Sequence, residues 1–226
     1  MGRMRVRGPS VDSVRTDRRR RHVQRAEVVA VIGGAVLLIS SWIVVAVDRR
    51  VPQWEQRVFR DINDLAGWLW PVVRVPMQAG SLVGSLVIVG AIWAISRNGR
   101  LAAAALLGSQ SAYWSSKAVK SLADRARPEV LLHGVHVREH ANGLGFLSGH
   151  TAVAFSLAAV LAPSLPRPWR AVVWVIACVV AFARVYAGAH LPLDVVGGAG
   201  LGLLCGTLAR WALGLGGEGL PAHDRA

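Results

Sequence analysis

The sequence predicts an all-α membrane protein: a polytopic helical bundle with about six transmembrane helices and one amphipathic interfacial helix. Apolar residues make up 53% of the 226-residue chain, and most of them fall in long runs. The segments between these runs carry charge and proline, which are costly in lipid and interrupt helices. These two observations argue against a soluble domain and indicate one compact membrane domain.

The first predicted element is a transmembrane helix that follows a basic tail. Residues 1–25 contain nine arginines against Asp12 and Asp17, and the apolar run 28–47 comes next. A helix of this length covers about 30 Å, the thickness of the hydrocarbon core. The run lacks a small-residue cleavage site, so we expect an uncleaved span. We assign residues 1–26 to a disordered cytoplasmic tail that contacts anionic lipid, and we prefer this to nucleic-acid binding.

Five further apolar runs predict the remaining spans. They cover residues 77–96, 101–119, 149–162, 169–187 and 191–213. The connections between them carry charge, as at 97–100, or proline, as at 163–168. We therefore expect a six-span domain over residues 27–213, followed by a flexible C-terminal tail over residues 214–226.

The segment between the first two spans predicts the amphipathic helix. Its apolar face at helical spacing consists of Val58, Phe59, Ile62, Leu65, Ala66 and Leu69. Its charged face consists of Arg57, Arg60, Asp61 and Asp64. Three tryptophans accompany it, at positions 54, 68 and 70, and tryptophan favours the headgroup depth of a bilayer. We expect a helix lying on the membrane surface; a partner-binding helix is the alternative.

The charges of the connecting loops predict the orientation in the cell membrane. If the N-terminus is cytoplasmic, the segments 97–100 and 167–170 are cytoplasmic as well. Each holds two arginines and no acidic residue, as the positive-inside tendency expects. The odd-numbered spans then run outward and the even-numbered spans run inward.

Polar residues at the predicted outer ends of the spans form three motifs. These are Lys120 with Arg127, then Ser148-Gly149-His150, then Arg184 with His190 and Asp194. Together they supply three cations, two imidazoles and a carboxylate. Such a set can transfer a phosphoryl group without a metal, because that reaction needs mainly charge stabilisation and proton transfer. The predicted topology brings all three motifs to the extracytoplasmic face.

Two predicted helix starts add to this phosphate site. Spans four and six begin at the outer face, where unpaired N–H groups and the positive end of the helix dipole favour an anion. Ser148 is suited to cap span four, and Pro192 is suited to the first turn of span six. We predict that both helix starts converge on one phosphate, although such residues also begin helices that bind nothing.

The motifs resemble those of the type 2 phosphatidic acid phosphatase superfamily, which shares its site with the vanadium haloperoxidases. The family pattern K-x6-R-P, P-S-G-H and S-R-x5-H-x3-D is matched here by K-S-L-A-D-R-A-R-P, L-S-G-H and A-R-V-Y-A-G-A-H-L-P-L-D. Leu147 replaces a proline of the family pattern, and Ala183 replaces a serine. Neither departure removes an acid, a base or a nucleophile.

The resemblance implies a role for each residue of the motifs. His190 would attack phosphorus and carry a phosphohistidine intermediate, while Asp194 would hydrogen-bond its other ring nitrogen. His150 would protonate the leaving group and then deprotonate the attacking water. The phosphate oxygens would be bound by Lys120, Arg127, Ser148, Gly149 and Arg184. No metal and no other cofactor is implied.

The remaining polar residues near the motifs have simpler interpretations. His133, His136 and His140 lack the carboxylate or cysteine pattern of a metal site, so we expect loop residues. A solvated loop is also the interpretation of Asp124, Arg125, Arg138 and Glu139.

The position of the site favours a lipid phosphate over a soluble one, because the apolar tail of the substrate can stay in the bilayer. We expect a metal-independent lipid phosphatase that acts on a polyprenyl diphosphate or a phosphatidate-like lipid, surrounded by membrane lipids and without a nucleic-acid partner. Two alternatives stay open, a phosphotransferase that uses the same site and a non-enzymatic lipid-binding membrane protein. The predicted spans argue against a soluble haloperoxidase.

Overall fold

The structure is a computed structural model, which describes residues 11–48 and 50–218. Regular structure within these residues is helical throughout, which confirms the all-α prediction. The helices are α1 (Val11–Val47), α2 (Gln53–Asn63), α3 (Leu69–Met77), α4 (Leu82–Ser96), α5 (Gly99–Ala123), α6 (Pro128–Leu131), α7 (Gly149–Leu161), α8 (Arg167–Tyr186) and α9 (Pro192–Ala212). Short 3-10 turns follow α3 and α7.

Several of these helices are apolar enough for a membrane. The Arg20–Val47 part of α1, α8 and α9 each have the length and composition of a span. The pair Leu69–Gly80 and Leu82–Ser96 is a fourth candidate, bent by 69° at its break. α7 is apolar but shorter, and α5 is outside this set, because polar residues interrupt its apolar surface. Within the described residues, length and composition therefore support three or four spans, and the predicted count of six is not established.

The second predicted span is interrupted near its start. We expected one helix over residues 77–96, but α3 and α4 are separated by a break there. Ser81 caps α4 by accepting a hydrogen bond from the Gly84 N–H at 2.9 Å. Gly80, inside the break, lies against the backbone of His150, where a Cβ would collide with the carbonyl oxygen. The bend therefore packs against the first turn of α7.

The amphipathic helix is present but shorter than predicted. α2 ends before Leu65, so the later residues of the predicted apolar face lie outside it, and Val58 is 40% exposed. Its buried side chains are Glu55, Phe59 and Asn63, which lie one helical turn apart. Two of these three are polar. α2 therefore presents a partly polar stripe to the protein interior.

α7 and α9 lie at the centre of the bundle with their backbones in close contact. Gly198, Gly202 and Gly206 recur every fourth residue along α9, and at each a Cβ would collide with a backbone oxygen of α7 or its cap. The absence of side chains permits this approach. Most side chains of α7 are buried, so α7 is enclosed by other helices. This packing fixes the first turns of α7 and α9 next to each other.

α1 packs along α9 and begins earlier than predicted. The structure places residues 11–26, which we expected to be disordered, in α1. Residues 1–10 of the predicted N-terminal tail and 219–226 of the predicted C-terminal tail lie outside the described residues. In the last turn of α9, the fully buried Arg210 donates to Glu27 Oε1 of α1 at 2.9 Å. This ion pair joins the two helices at the end of α9 away from the motifs.

Candidate active site

The structure brings the three motifs to one end of the bundle. Lys120 and Arg184 lie in the last turns of α5 and α8. Ser148 caps α7, and its N–H donates to the backbone oxygen of Asp194, in the first turn of α9, at 2.9 Å. His190 lies just before α9, and its N–H donates to the Arg184 oxygen at 3.2 Å. The starts of α7 and α9 therefore meet, whereas binding of a phosphate there stays a prediction.

Two of the predicted phosphate-binding cations also hold the loop before α7. Lys120 and Arg127 both donate to backbone oxygens of the segment 142–145, at 2.8 to 3.0 Å. Arg127 also donates to the oxygen of Ala189, next to His190, at 2.7 Å. Carbonyl groups satisfy hydrogen-bond donors without cancelling a positive charge. Both side chains are therefore fixed in place while their charges stay available to an anion.

The third cation, Arg184, is already paired with a carboxylate. Its side chain is 3% exposed, and its Nη1 donates to Glu139 Oε1 at 2.6 Å. Its Nε has no hydrogen-bond partner in the part of the chain that the structure describes. The interpretation of Glu139 as a solvated loop residue is therefore wrong. In this structure a carboxylate binds the guanidinium that we predict to bind the phosphate.

The second motif begins α7 as predicted. The Ser148 hydroxyl oxygen caps the helix by accepting from the N–H and the hydroxyl of Thr151, the latter at 3.0 Å. Gly149 lies close to α5, because a Cβ there would be 2.9 Å from Ser116 Oγ. His150 follows in the first turn and is half-buried. The N-cap prediction is confirmed, as is the proline at the first position of α9.

His190 is buried beside Asp194, but the predicted hydrogen bond between their side chains is not formed. His190 Nδ1 lies 3.4 Å from Asp194 Oδ2 and has no hydrogen-bond partner among the described residues. Asp194 Oδ2 accepts instead from the Leu191 N–H at 2.9 Å, and Oδ1 accepts from Arg125 at 2.8 Å. A shift of about 0.4 Å would bring the ring nitrogen into hydrogen-bond range.

The surroundings of His190 favour a neutral imidazole. Burial lowers the pKa of His190 well below its ordinary value, and the positive charges of Lys120, Arg184 and Arg127 lower it further. A neutral imidazole keeps a lone pair for attack on phosphorus. The same three charges leave an excess of positive potential that an anionic phosphate would neutralise.

Two charged residues behind Asp194 were missed by the sequence analysis. Arg125, interpreted as a solvated loop residue, has a side chain only 9% exposed, and its guanidinium bridges Glu55 and Asp194. Glu55 is fully buried and also accepts from the Leu193 N–H at 2.9 Å. The signal that could have revealed this contact was the polar stripe on α2, where Glu55 and Asn63 share one face.

Arg138 is a third residue wrongly interpreted as solvated, after Glu139 and Arg125. Its Nη1 donates to the backbone oxygens of Asn63 and Tyr186, both at 2.8 Å. Its guanidinium also lies 4.0 Å from the centroid of the Tyr186 ring. Asn63 in turn hydrogen-bonds the backbone of His136. These contacts hold the loop before α7 against α2 and α8.

The other loop residues agree with their predicted exposure. Asp124, His133, His136 and His140 are all exposed. In the part of the chain described here, no group of three or more His, Cys, Asp or Glu side chains could hold a metal ion.

Comparisons with known proteins agree with the motifs. A family model described as PAP2 superfamily matches residues 98–215, which is more than half of the chain and includes all three motifs. The crystal structure of Aquifex aeolicus LpxE is similar at 25% identity and a TM-score of 0.65, and covers 69% of this chain and 94% of that chain. The crystal structure of the first transmembrane PAP2 type phosphatidylglycerolphosphate phosphatase from Bacillus subtilis is similar at 24% identity and a TM-score of 0.63, and covers 79% of this chain and 94% of that chain. No curated protein sequence matches the chain. Because the family model covers more than half of the sequence, the chain belongs to the PAP2 superfamily of membrane phosphatases.

Proposed function

We propose that this protein is a lipid phosphatase, which hydrolyses the phosphomonoester or diphosphate of a membrane lipid through a phosphohistidine on His190. One observation carries the proposal: a buried imidazole lies beside a carboxylate at the point where three cations converge. Membership of the PAP2 superfamily supports phosphatase chemistry. We assign this activity to residues 27–213.

The first half of the reaction forms the phosphohistidine. Because His190 Nδ1 faces Asp194, the lone pair on Nε2 is the one that attacks phosphorus. The bond between phosphorus and the lipid oxygen breaks, and His150, which is protonated once the bound phosphate offsets the charge of the three cations, gives its proton to that oxygen. Asp194 accepts a hydrogen bond from Nδ1–H and stabilises the positive charge that the ring acquires.

The second half of the reaction releases phosphate. His150, now neutral, removes a proton from water, and the water oxygen attacks phosphorus as the bond to His190 breaks. The charge on the equatorial oxygens is stabilised in both halves by Lys120, Arg127, Arg184, the Ser148 hydroxyl and the Gly149 N–H. These groups meet the needs of the reaction without a metal ion.

The membrane arrangement that suits this chemistry has six passes, with the N-terminus cytoplasmic and the site at the extracytoplasmic face of the cell membrane. α5 has 25 residues, enough for about 37 Å of helix, and α7 can be shorter because other helices enclose it. A site at the ends of such helices suits a polyprenyl diphosphate or a phosphatidate-like lipid. The name of the Bacillus subtilis relative adds phosphatidylglycerolphosphate to the substrates worth testing.

The test is phosphate release by the purified protein in detergent with a chelator present. The substrates are polyprenyl diphosphate, phosphatidate, phosphatidylglycerolphosphate and a soluble phosphate ester. Wild type is compared with His190→Ala and with the control His133→Ala, which changes an exposed loop histidine. We expect release from a lipid by wild type and the control, and loss of at least about 1,000-fold in His190→Ala, since the nucleophile is removed.

The outcomes separate the alternatives. Equal rates in His190→Ala and wild type would contradict His190 as the nucleophile. Transfer of phosphate to an added alcohol in preference to water would indicate a phosphotransferase. Lipid binding that persists in all variants without any release would indicate a non-enzymatic lipid-binding protein.

A further inference from the structure

Behind the proposed nucleophile lies a chain of three buried charged groups from three separate parts of the sequence. Arg125, in the loop after α5, donates through Nη1 to Asp194 Oδ1 at 2.8 Å and to Glu55 Oε1 at 3.2 Å. Its Nη2 donates to Glu55 Oε2. Glu55 Oε1 also accepts from the Leu193 N–H at 2.9 Å, in the same turn of α9 as Asp194. Arg125 and Glu55 therefore hold both the carboxylate of Asp194 and the backbone that carries it.

The charges of Arg125, Glu55 and Asp194 matter as much as their geometry. The side chains of Glu55 and Asp194 are fully buried, and that of Arg125 is 9% exposed, so water screens them weakly. Two carboxylates and one guanidinium leave one net negative charge. Without Glu55, the guanidinium and Asp194 would cancel each other. Glu55 thus leaves the charge of Asp194 available to a positively charged His190.

The titration of these groups agrees with their pairing. Burial lowers the pKa of Arg125, but the two carboxylates outweigh burial and the pKa is raised overall. Burial raises the pKa of Glu55, and this pKa stays raised overall although the hydrogen bonds and charge of Arg125 and the Leu193 N–H oppose the shift. The guanidinium is therefore charged under all ordinary conditions, and Glu55 is its principal partner on α2.

The unpaired nitrogen of His190 identifies the group on which these three buried charges act. His190 Nδ1 is buried without a hydrogen-bond partner among the described residues, and it lies 3.4 Å from Asp194 Oδ2. A carboxylate oxygen has a second lone pair, so Oδ2 can accept from this nitrogen while it keeps the Leu191 N–H. The imidazole gains a positive charge only during phosphoryl transfer, when the hydrogen bond becomes charge-assisted.

We propose that Glu55 and Arg125 are positioning residues for the reaction: they hold Asp194 in place and leave it negatively charged, so that it stabilises His190 while the phosphohistidine forms. This inference rests on the proposed function. It also makes α2, which contributes none of the predicted motif residues, a part of the active site. Glu55 and Arg125 act on the chemical step rather than on substrate binding, because neither contacts the predicted phosphate position.

The experiment is a double-mutant cycle on phosphate release, with kcat and KM measured separately. The single variants are Glu55→Gln, Arg125→Met, Arg125→Lys and Asp194→Asn, and the first two are also combined with Asp194→Asn. The matched control is Glu27→Gln, which changes another buried glutamate that accepts from a buried arginine and from a backbone N–H, but far from the site. Unfolding of every variant in detergent is followed in parallel.

We expect Glu55→Gln and Arg125→Met to lower kcat by about 10- to 100-fold with KM changed less than about threefold, as for other residues that orient a catalytic group. Arg125→Lys should recover part of the rate, because it restores one charge–carboxylate contact. In the Asp194→Asn background, both changes should cost less than about twofold, since they act through Asp194. Glu27→Gln should keep kcat within about twofold of wild type even if its stability falls.

Three results would overturn the inference. Effects that multiply with that of Asp194→Asn would show a role independent of Asp194. A Glu55→Gln variant with wild-type kcat would show that Glu55 is not needed. Wild-type release that does not depend on His190 would refute the proposed function first, and the positioning role with it, so the two failures are distinguished by the His190→Ala measurement.

Discussion

At the scale of single residues, two anions compete for one buried cation of the site. This cation is Arg184, because its Nη1 donates to Glu139 in this structure and is also predicted to bind phosphate. A carboxylate and a phosphate oxygen cannot both take that donor. Glu139 is partly exposed and comes from a loop, whereas Arg184 is fixed in α8. We therefore expect Glu139 to move away from Arg184 when a phosphate binds.

The change Glu139→Gln tests this competition. It removes a negative charge next to the phosphate position, so we expect KM for the lipid phosphate and the inhibition constant of inorganic phosphate to fall by about 3- to 10-fold. Asp61→Asn, an exposed change in α2 that also removes a negative charge, should leave both constants unchanged. A rise in both constants for Glu139→Gln would show that Glu139 orients Arg184 instead.

At the scale of helices, the position of the site depends on the close contact between α7 and α9. Three glycines on one face of α9 allow the two backbones to touch, which aligns Ser148 with Asp194. α2 acts differently. Its buried stripe is polar, and it holds the loop and the first turn of α9 through hydrogen bonds. Apolar periodicity predicted that α2 exists. The position of Glu55 on the same face as Phe59 indicates burial, but its partner Arg125 is identified only by the fold.

The contact between α7 and α9 predicts that the effect of one added methyl group on the free energy of unfolding depends strongly on its position. In Gly202→Ala the new Cβ collides with the backbone oxygen of Ala152, so the helices must separate, and we expect the free energy of unfolding to fall by about 1–3 kcal/mol. The control is Gly90→Ala in α4, where, among the described residues, the new Cβ meets no atom within 4 Å apart from the adjacent backbone of its own helix. That change should be neutral or gain up to about 1 kcal/mol from helix propensity. Unfolding in detergent measures both, and equal effects would contradict the proposed packing.

At the scale of the whole molecule, the distribution of charge sets the orientation that we propose. The two short loops expected inside are rich in arginine, and the site with its acidic partners is expected outside. Within the described residues, helix length and composition identify three or four candidate spans, because polar residues interrupt the apolar surface of α5 and because α7 is short.

Cysteine labelling in intact cells tests the orientation. Cys178 and Cys205 are first replaced by alanine, and a single cysteine is then introduced as His140→Cys in the loop before α7 or as Arg167→Cys at the start of α8. Both native side chains are exposed in the structure. A membrane-impermeant maleimide should label the first variant in intact cells and the second only after the cells are opened. The reverse pattern would place the site in the cytoplasm.

The sequence by itself determined the all-α membrane class, the three motifs, the cap formed by Ser148 and the family. These features are local: they depend on apolar runs, on short spacings and on the residue types at helix ends. The tertiary structure alone decided that α3 and α4 are bent apart, that Glu139 pairs with Arg184, and that Glu55 and Arg125 support Asp194. Glu55 and Arg125 are 70 positions apart. Only folding brings such residues together in a buried site, where each charge requires a partner and a charge on a helix surface or in a loop becomes part of the site.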